Sequence, residues 1–421
     1  MRDDRQRGRA EIRVAVAGSY GFMDIGDEAM LTEDLAYLIG DVGVPRELIY
    51  LFGALPEYVS YYHEHPPRNC LSSEHLVQAG SPGQKKPWVK RTRRRVQAAL
   101  GLRKKASNTE MIRSVLQGCD VALITGGGTV NTRGGRRWSL ERVHALVLQF
   151  RRHGLPVFMS GQTIGPLGAS DEDDRLARET VEAVDVLTVR DDTYSRRYLD
   201  LIGANPKELI ETFDDAYSLP YADTSLPADV EAFLQSSRVG AFNVTEYTAE
   251  TPEQRVFVAE LIERVLEKDL LERVVCVAHT PHDLQNLWMI RDMVQNGLKA
   301  RVYVPDTRRW RAQSLKLLIS RCAVAVGGRY HFIVFAGTSN TPFVGMCGNH
   351  YSYVKQDGFA RPLGLSDFIL TEKETWNRRV VDARIEAALD TKLSLAERFQ
   401  RPSVSMSRLG TWLRKDLGLL P

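Results

Sequence analysis

A histidine and an arginine stand together in Gly327-Gly328-Arg329-Tyr330-His331, directly after the apolar run AVAV and ahead of a helical pattern. Strand, glycine turn and helix in that order put Arg329 and His331 at the carboxyl end of a strand, the edge where open α/β sheets hold ligands. Imidazole is the side chain best able to give or take a proton near neutral pH, which makes His331 a candidate acid–base catalyst. Arg190 ends another apolar strand, in TVRD. A guanidinium there can grip a carboxylate or phosphate through two hydrogen bonds, or pair with Asp191 or Asp192 at the surface; the local sequence leaves both open. Lys355 is expected in a polar, aromatic loop, HYSYVKQDGF, after the strand TPFVGMCG. His279 and His282 share the strand-end loop AHTPHD. Their i, i+3 spacing could serve a metal, but no third ligand lies near in sequence, and no metal is expected.

Glycines mark further loops that could face a ligand. Gly18-Ser-Tyr-Gly21-Phe-Met-Asp-Ile-Gly26-Asp27-Glu28 is a strand-to-helix turn whose amides could hold an anion; Asp27 and Glu28 also suit any helix start. Gly126-Gly127-Gly128 follows VALIT. Three successive glycines are poor in a regular element and suggest close approach or positive φ, in a tight turn or a ligand-facing loop. Gln162 falls in the strand-and-loop LPVFMSGQTIG. Neither GxGxxG nor GxxxxGK[ST] is present, so nucleotide binding is not supported. GxSxG and a Cys–His signature are also missing.

The elements that must carry these residues alternate. IRVAVAG, VALITGGG, LPVFMSGQTIG and DVLTVRD read as buried strands, interleaved with helices such as SLERVHALVLQFRRHG. LPYADTSLPA interrupts the pattern, after which VGAFNV, VVCVAH, AVAVGG and TPFVGMCG open a second series. The expected organisation is an α/β protein with two Rossmann-like domains facing across a cleft. Residues 1–218 form the first, 219–236 a linker, 237–370 the second, and 371–421 a helical tail packing back.

A chain of 421 residues favours two domains over one core. Five scattered cysteines give no disulfide framework or zinc pattern. The charged start lacks a signal-peptide core, and no apolar run approaches a membrane span, so the expected compartment is the cytoplasm. Net charge is only +3, yet Lys85 to Lys105 holds ten Lys or Arg and no acid. That segment is either a solvated insertion or a patch for something anionic, such as a pyrophosphate-bearing acceptor or the inner membrane face. With only Trp88 to stack bases, nucleic acid is not the expected partner.

In order along the chain, GSYGFMDIGDEAML, ITGGGT, VFMSGQTIGPL, LTVRDDTYSRRYL with FDDAYSL, GGRYHFIVFAGTSNTPFVGM and Lys355…Phe359…Leu363-Gly364-Leu365 resemble the polysaccharide pyruvyl transferase family. The resemblance implies a GT-B-like fold and transfer of pyruvate from phosphoenolpyruvate onto two hydroxyls of a sugar, as a ketal, with no further cofactor. It puts the family's catalytic histidine on His331, its arginine on Arg190 and its lysine on Lys355. His331 would then be the general acid, with Arg190 and Lys355 holding the donor's phosphate and carboxylate and Arg329 assisting or bracing. The chain departs from the family at Tyr351-Ser-Tyr-Val, where Tyr-Asp-Pro is common, and at the basic TVNTRGGRRW. The acceptor is therefore open among a saccharide, a lipid-linked saccharide and a glycosylated metabolite, and an oligomer is open as well. Competing readings are a nucleotide-sugar glycosyltransferase on the same fold and a non-catalytic binding relative in envelope assembly.

Overall fold

The computed structural model describes residues 12–79, 108–132, 138–191, 193–235, 238–395 and 403–420. The basic segment 85–105, Asp192 and all but the first residue of the tail piece LAERF lie outside the described residues. Two parallel sheets organise the chain. The first comprises β1 (Val14–Ala17), β2 (Ile49–Gly53), β3 (Cys70–Ser72), β4 (Val121–Ile124), β5 (Gly127–Val130), β6 (Val157–Ile164), β7 (Val186–Val189) and β8 (Leu209–Glu211). Its order is β3-β2-β1-β4-β6-β7-β8, with β5 paired to β6. The second holds β9 (Val239–Asn243), β10 (Arg273–Cys276), β11 (Val302–Tyr303), β12 (Val324–Gly327), β13 (Phe343–Met346) and β14 (Ile369–Leu370), in the order β11-β10-β9-β12-β13-β14.

These strands read as continuous apolar runs because helices cover both faces of each sheet. Alternation still sorts the side chains: Val14 and Val16 of β1 enter one cluster, Ala15 and Ala17 the cluster on the other face. Strand order reverses between β1 and β4 in the first sheet and between β9 and β12 in the second. Such switch points open a crevice at the carboxyl ends of the strands, and here the two crevices face each other.

The helix Ile25–Ala36 joins the units. Asp24 caps it by accepting from the Gly26 N–H at 2.9 Å. Ile25, Ala29 and Met30 enter a core otherwise built largely from the second unit, and the Ile25 N–H donates to His279 O at 3.1 Å. The expected linker is more ordered than a spacer. It carries the short helix Ala228–Phe233, and Leu219, Leu226, Val230 and Leu234 are buried. The expected tail divides between the two units. Val381, Ile385 and Ala388 of helix Arg378–Leu389 pack on the second sheet. Helix Val404–Thr411 returns to the first, where Met406, Leu409, Trp412 and Leu413 are buried. There Ser405 Oγ sits 2.6 Å from Ser160 Oγ and 2.9 Å from Thr188 Oγ1. No described helix is long and apolar enough to cross a membrane.

Candidate active site

The cleft between the switch points encloses about 610 Å³. Gly18, Ser19 and Asp27 face it from the first unit; Arg329, His331 and Lys355 face it from the second. His331 lies in the first turn of helix Tyr330–Thr338, directly after β12. Its ring rests against Gly26: a Cβ built there would fall 2.1 Å from His331 Nδ1. His331 Nε2 stands 3.5 Å from Asp214 Oδ2. Burial lowers the pKa of His331, and Asp214 opposes that shift.

Asp214 is fully buried, and burial alone would raise its pKa; His331 and Arg190 instead hold the carboxyl well below the usual carboxylate range. Arg190 is only 2% exposed. It ion-pairs with Asp214, donates from Nε to Thr163 Oγ1 at 2.6 Å, and stacks over the Tyr330 ring at 4.2 Å. It forms no ion pair with Asp191, and Asp192 lies outside the described residues. It stands behind Tyr330 rather than among the residues lining the cleft, and its Nη2 is buried with no hydrogen-bond partner among the described residues. Its charge fixes Asp214, which in turn faces the histidine.

Lys355 is also placed differently from the expected loop. It lies on helix His350–Ala360, capped by Asn349, whose side chain accepts from the Ser352 N–H. The helix was hidden because it is buried on several sides and carries no clean apolar stripe. Lys355 Nζ lies 5.2 Å from the Tyr330 ring centre and 5.1 Å from that of Tyr351, and it lines the cleft. Among the described residues no carboxylate lies within ion-pair distance of it. Arg329, by contrast, is already neutralised, by Asp283 at 2.6 Å, Glu246 at 3.1 Å and Asp24 at 3.3 Å. It braces the loop across both units instead of offering a free charge.

The glycine loops resolve individually. Gly128 lines the cleft, and Tyr351 Oη donates to its carbonyl at 3.0 Å across the units; a Cβ at Gly128 would meet that oxygen at 2.4 Å. Close approach, not the absence of regular structure, explains the triplet: Gly127, at φ +153°, and Gly128 lie within β5. Gly21 turns away, its N–H donating to buried Glu28 at 2.7 Å. Gln162 lies inside β6 and is fully buried. Its amide donates to Thr125 O at 2.9 Å and Ser160 O at 2.7 Å, so it serves the sheet and not a ligand loop. His282 sits at the cleft's rim on helix Pro281–Met293, its Nε2 3.2 Å from Asn286 Nδ2. His279 is buried beside Phe335, its pKa pushed down to about 3 by burial. Among the described residues no three His, Cys, Asp or Glu side chains gather as a metal site.

The sequence drew no attention to Arg142, on helix Trp138–Arg152. It is half-buried, lines the cleft from the first unit, donates to Ser73 Oγ at 2.7 Å and lies over the Phe22 ring at 4.8 Å. No carboxylate among the described residues pairs with it. An arginine on the polar face of an amphipathic helix gives no signal in one sequence.

Two doubly wound domains with a crevice between them define a GT-B-like fold. Solved structures share this architecture across nearly their whole length. The UDP-GlcNAc 2-epimerase of Methanocaldococcus jannaschii is 11% identical, with TM-score 0.59 over 94% of this chain and 98% of that one. S. aureus MnaA, solved with UDP, is 9% identical with TM-score 0.58 over 97% and 98%. Anabaena Alr3699/HepE, solved with UDP-glucose, is 12% identical with TM-score 0.54 over 97% and 100%. No curated protein matches the sequence. The chain belongs to the polysaccharide pyruvyl transferase family, whose model matches residues 25–351, which makes it a transferase. Arg190, Arg329 and His331 fall inside that span, and Lys355 just past it.

Proposed function

We propose that this protein transfers the pyruvyl group of phosphoenolpyruvate to two hydroxyls of a saccharide or glycosylated acceptor, forming a ketal and releasing phosphate. The observation that carries the reading is a cleft histidine with Asp214 and Arg190 behind it, beside the unpaired ammonium of Lys355. The donor's phosphate and carboxylate bring about three negative charges at neutral pH. Lys355 offers them a cation with no ion-pair partner among the described residues, and their field raises the proton affinity of His331 when the donor binds. The protonated imidazole then gives its proton to the methylene carbon, leaving C2 electrophilic. Lys355 stabilises charge on the departing phosphate. Arg142 and the exposed face of Phe22 furnish the acceptor side from the first unit. The reaction needs no metal or organic cofactor, and its donor places it in the cytoplasm.

Titration calorimetry and thermal shift with phosphoenolpyruvate, run beside UDP-sugars, test this. At about 100 times its dissociation constant a ligand adds roughly 2.7 kcal/mol of apparent stability. Phosphoenolpyruvate is expected to stabilise the wild type, and His331→Ala to keep binding while turnover falls about 10²- to 10⁴-fold. Stabilisation by a UDP-sugar alone would replace this reading with a nucleotide-sugar enzyme.

A further inference from the structure

Three carboxylates line the cleft among the described residues: Asp24, Asp27 and Glu246. Two are committed. Asp24 caps its helix and pairs with Arg329, and Glu246 pairs with the same guanidinium. Asp27 makes no hydrogen bond or ion pair with a described residue, although it is half-buried. It follows Gly26, the residue against which the His331 ring is packed. The charges around it come from every side of the cleft. Asp24 and Glu28 lie on its own turn, Lys355 acts from across the cleft, Arg190 acts from behind Tyr330, and its own charge is felt by Arg142. We propose that Asp27 is the catalytic base that takes the proton from the acceptor hydroxyl as its oxygen bonds to C2 of the donor.

This role rests on the pyruvyl-transfer reading and completes its proton balance. His331 gives a proton to C3, making the methyl group. The first acceptor oxygen bonds to C2 and its proton passes to Asp27. The bond from C2 to the phosphate oxygen then breaks, and the phosphate leaves with the proton from Asp27. The second acceptor oxygen bonds to C2, and its proton restores the conjugate acid of His331. Two hydroxyl protons are lost, one methyl proton and one phosphate proton are gained, and both residues return to their starting forms. Burial raises the proton affinity of Asp27, Asp24 adds to that shift, and Lys355 opposes it. A carboxylate tuned this way accepts a proton more readily than one in open water.

Asp27→Asn removes the base and keeps the shape. The test measures phosphoenolpyruvate binding by calorimetry, then phosphate release with a panel of methyl hexopyranosides as the acceptor probe. The variant is expected to melt like the wild type and bind phosphoenolpyruvate at least as tightly. Its phosphate release is expected to fall about 10²- to 10⁴-fold, and the acidic limb of its pH–rate profile is expected to vanish. Asp27→Glu should recover part of the rate. A variant within about threefold of the wild-type rate, or one that keeps the acidic limb, overturns the role of Asp27 alone. A wild type that neither binds phosphoenolpyruvate nor releases phosphate with any glycoside overturns the pyruvyl-transfer reading and this role together.

Discussion

His331 faces Asp214 at 3.5 Å, and Asp214 is held in turn by Arg190. Removing the arginine therefore does more than remove a cation near the donor. It leaves a fully buried carboxylate without its nearest cationic partner, and breaking such a pair costs about 3 to 5 kcal/mol. Arg190→Ala is expected to lower unfolding free energy by that amount in chemical denaturation, and to lower turnover alongside. A variant with wild-type stability and lost phosphoenolpyruvate binding would instead mark Arg190 as a direct donor contact. The sequence showed His331 and Arg190 as chemistry-bearing side chains because each stands at the end of an apolar strand, and Lys355 only through the family resemblance. It did not show that Arg190 is spent on Asp214, since that pairing joins β7 to the turn after β8. Nor did it separate Lys355, which has no ion-pair partner among the described residues, from Arg329, which has three, because Asp24, Glu246 and Asp283 come from distant segments.

At the level of elements, the carboxyl ends of β1, β4 and β12 were readable, because short apolar runs closed by glycine have few other solutions in an α/β chain. What those glycines do was not readable. Gly26 lies in the first turn of its helix, a position any small residue could fill in isolation, yet the ring of His331 occupies the space beside it. Gly26→Ala places a methyl group 2.1 Å from His331 Nδ1. The ring must move, and turnover is expected to fall at least tenfold while phosphoenolpyruvate still stabilises the protein in a thermal shift. An unchanged rate would mean that the ring position observed here is not the working one. The Lys355 helix escaped detection for the opposite reason. Its burial comes from both units, so its polar and aromatic residues show no periodic stripe, and only the Asn349 cap with Ser352 three residues on marked its start.

Across the whole molecule, ionisable groups buried near the contact between units give stability a pH dependence of definite sign. Glu28 is raised to about 8 and Asp215 to about 7, both chiefly by burial. Each is protonated in the folded state and ionised in the unfolded one between about pH 4 and its raised value. Their contribution is therefore present at low pH and lost as pH rises through 7 and 8. His63 and His279 are depressed to about 3 by burial, so theirs is present above about 6.5 and lost as pH falls toward 3. Between 6.5 and 8 only the carboxyls change, each by at most about 1.4 kcal/mol per pH unit. Melting temperature is expected to fall from pH 6.5 to 8.5, and Glu28→Gln to flatten that slope; a melting temperature rising over the same interval would contradict it.

The returning helix Val404–Thr411 carries one further consequence, for the order in which the molecule can be made. Met406, Leu409, Trp412 and Leu413 fill a cluster on the first sheet together with Val14, Val16 and Phe158. Those partners precede it by most of the chain, and the helix that packs on them leaves the ribosome after both sheets have been made. The second unit, by contrast, draws most of its core from one continuous stretch and can condense as soon as that stretch emerges. The second unit is thus poised to condense before the amino-terminal sheet receives the last part of its apolar cover, the rest of which Leu31, Leu35 and Leu38 supply early.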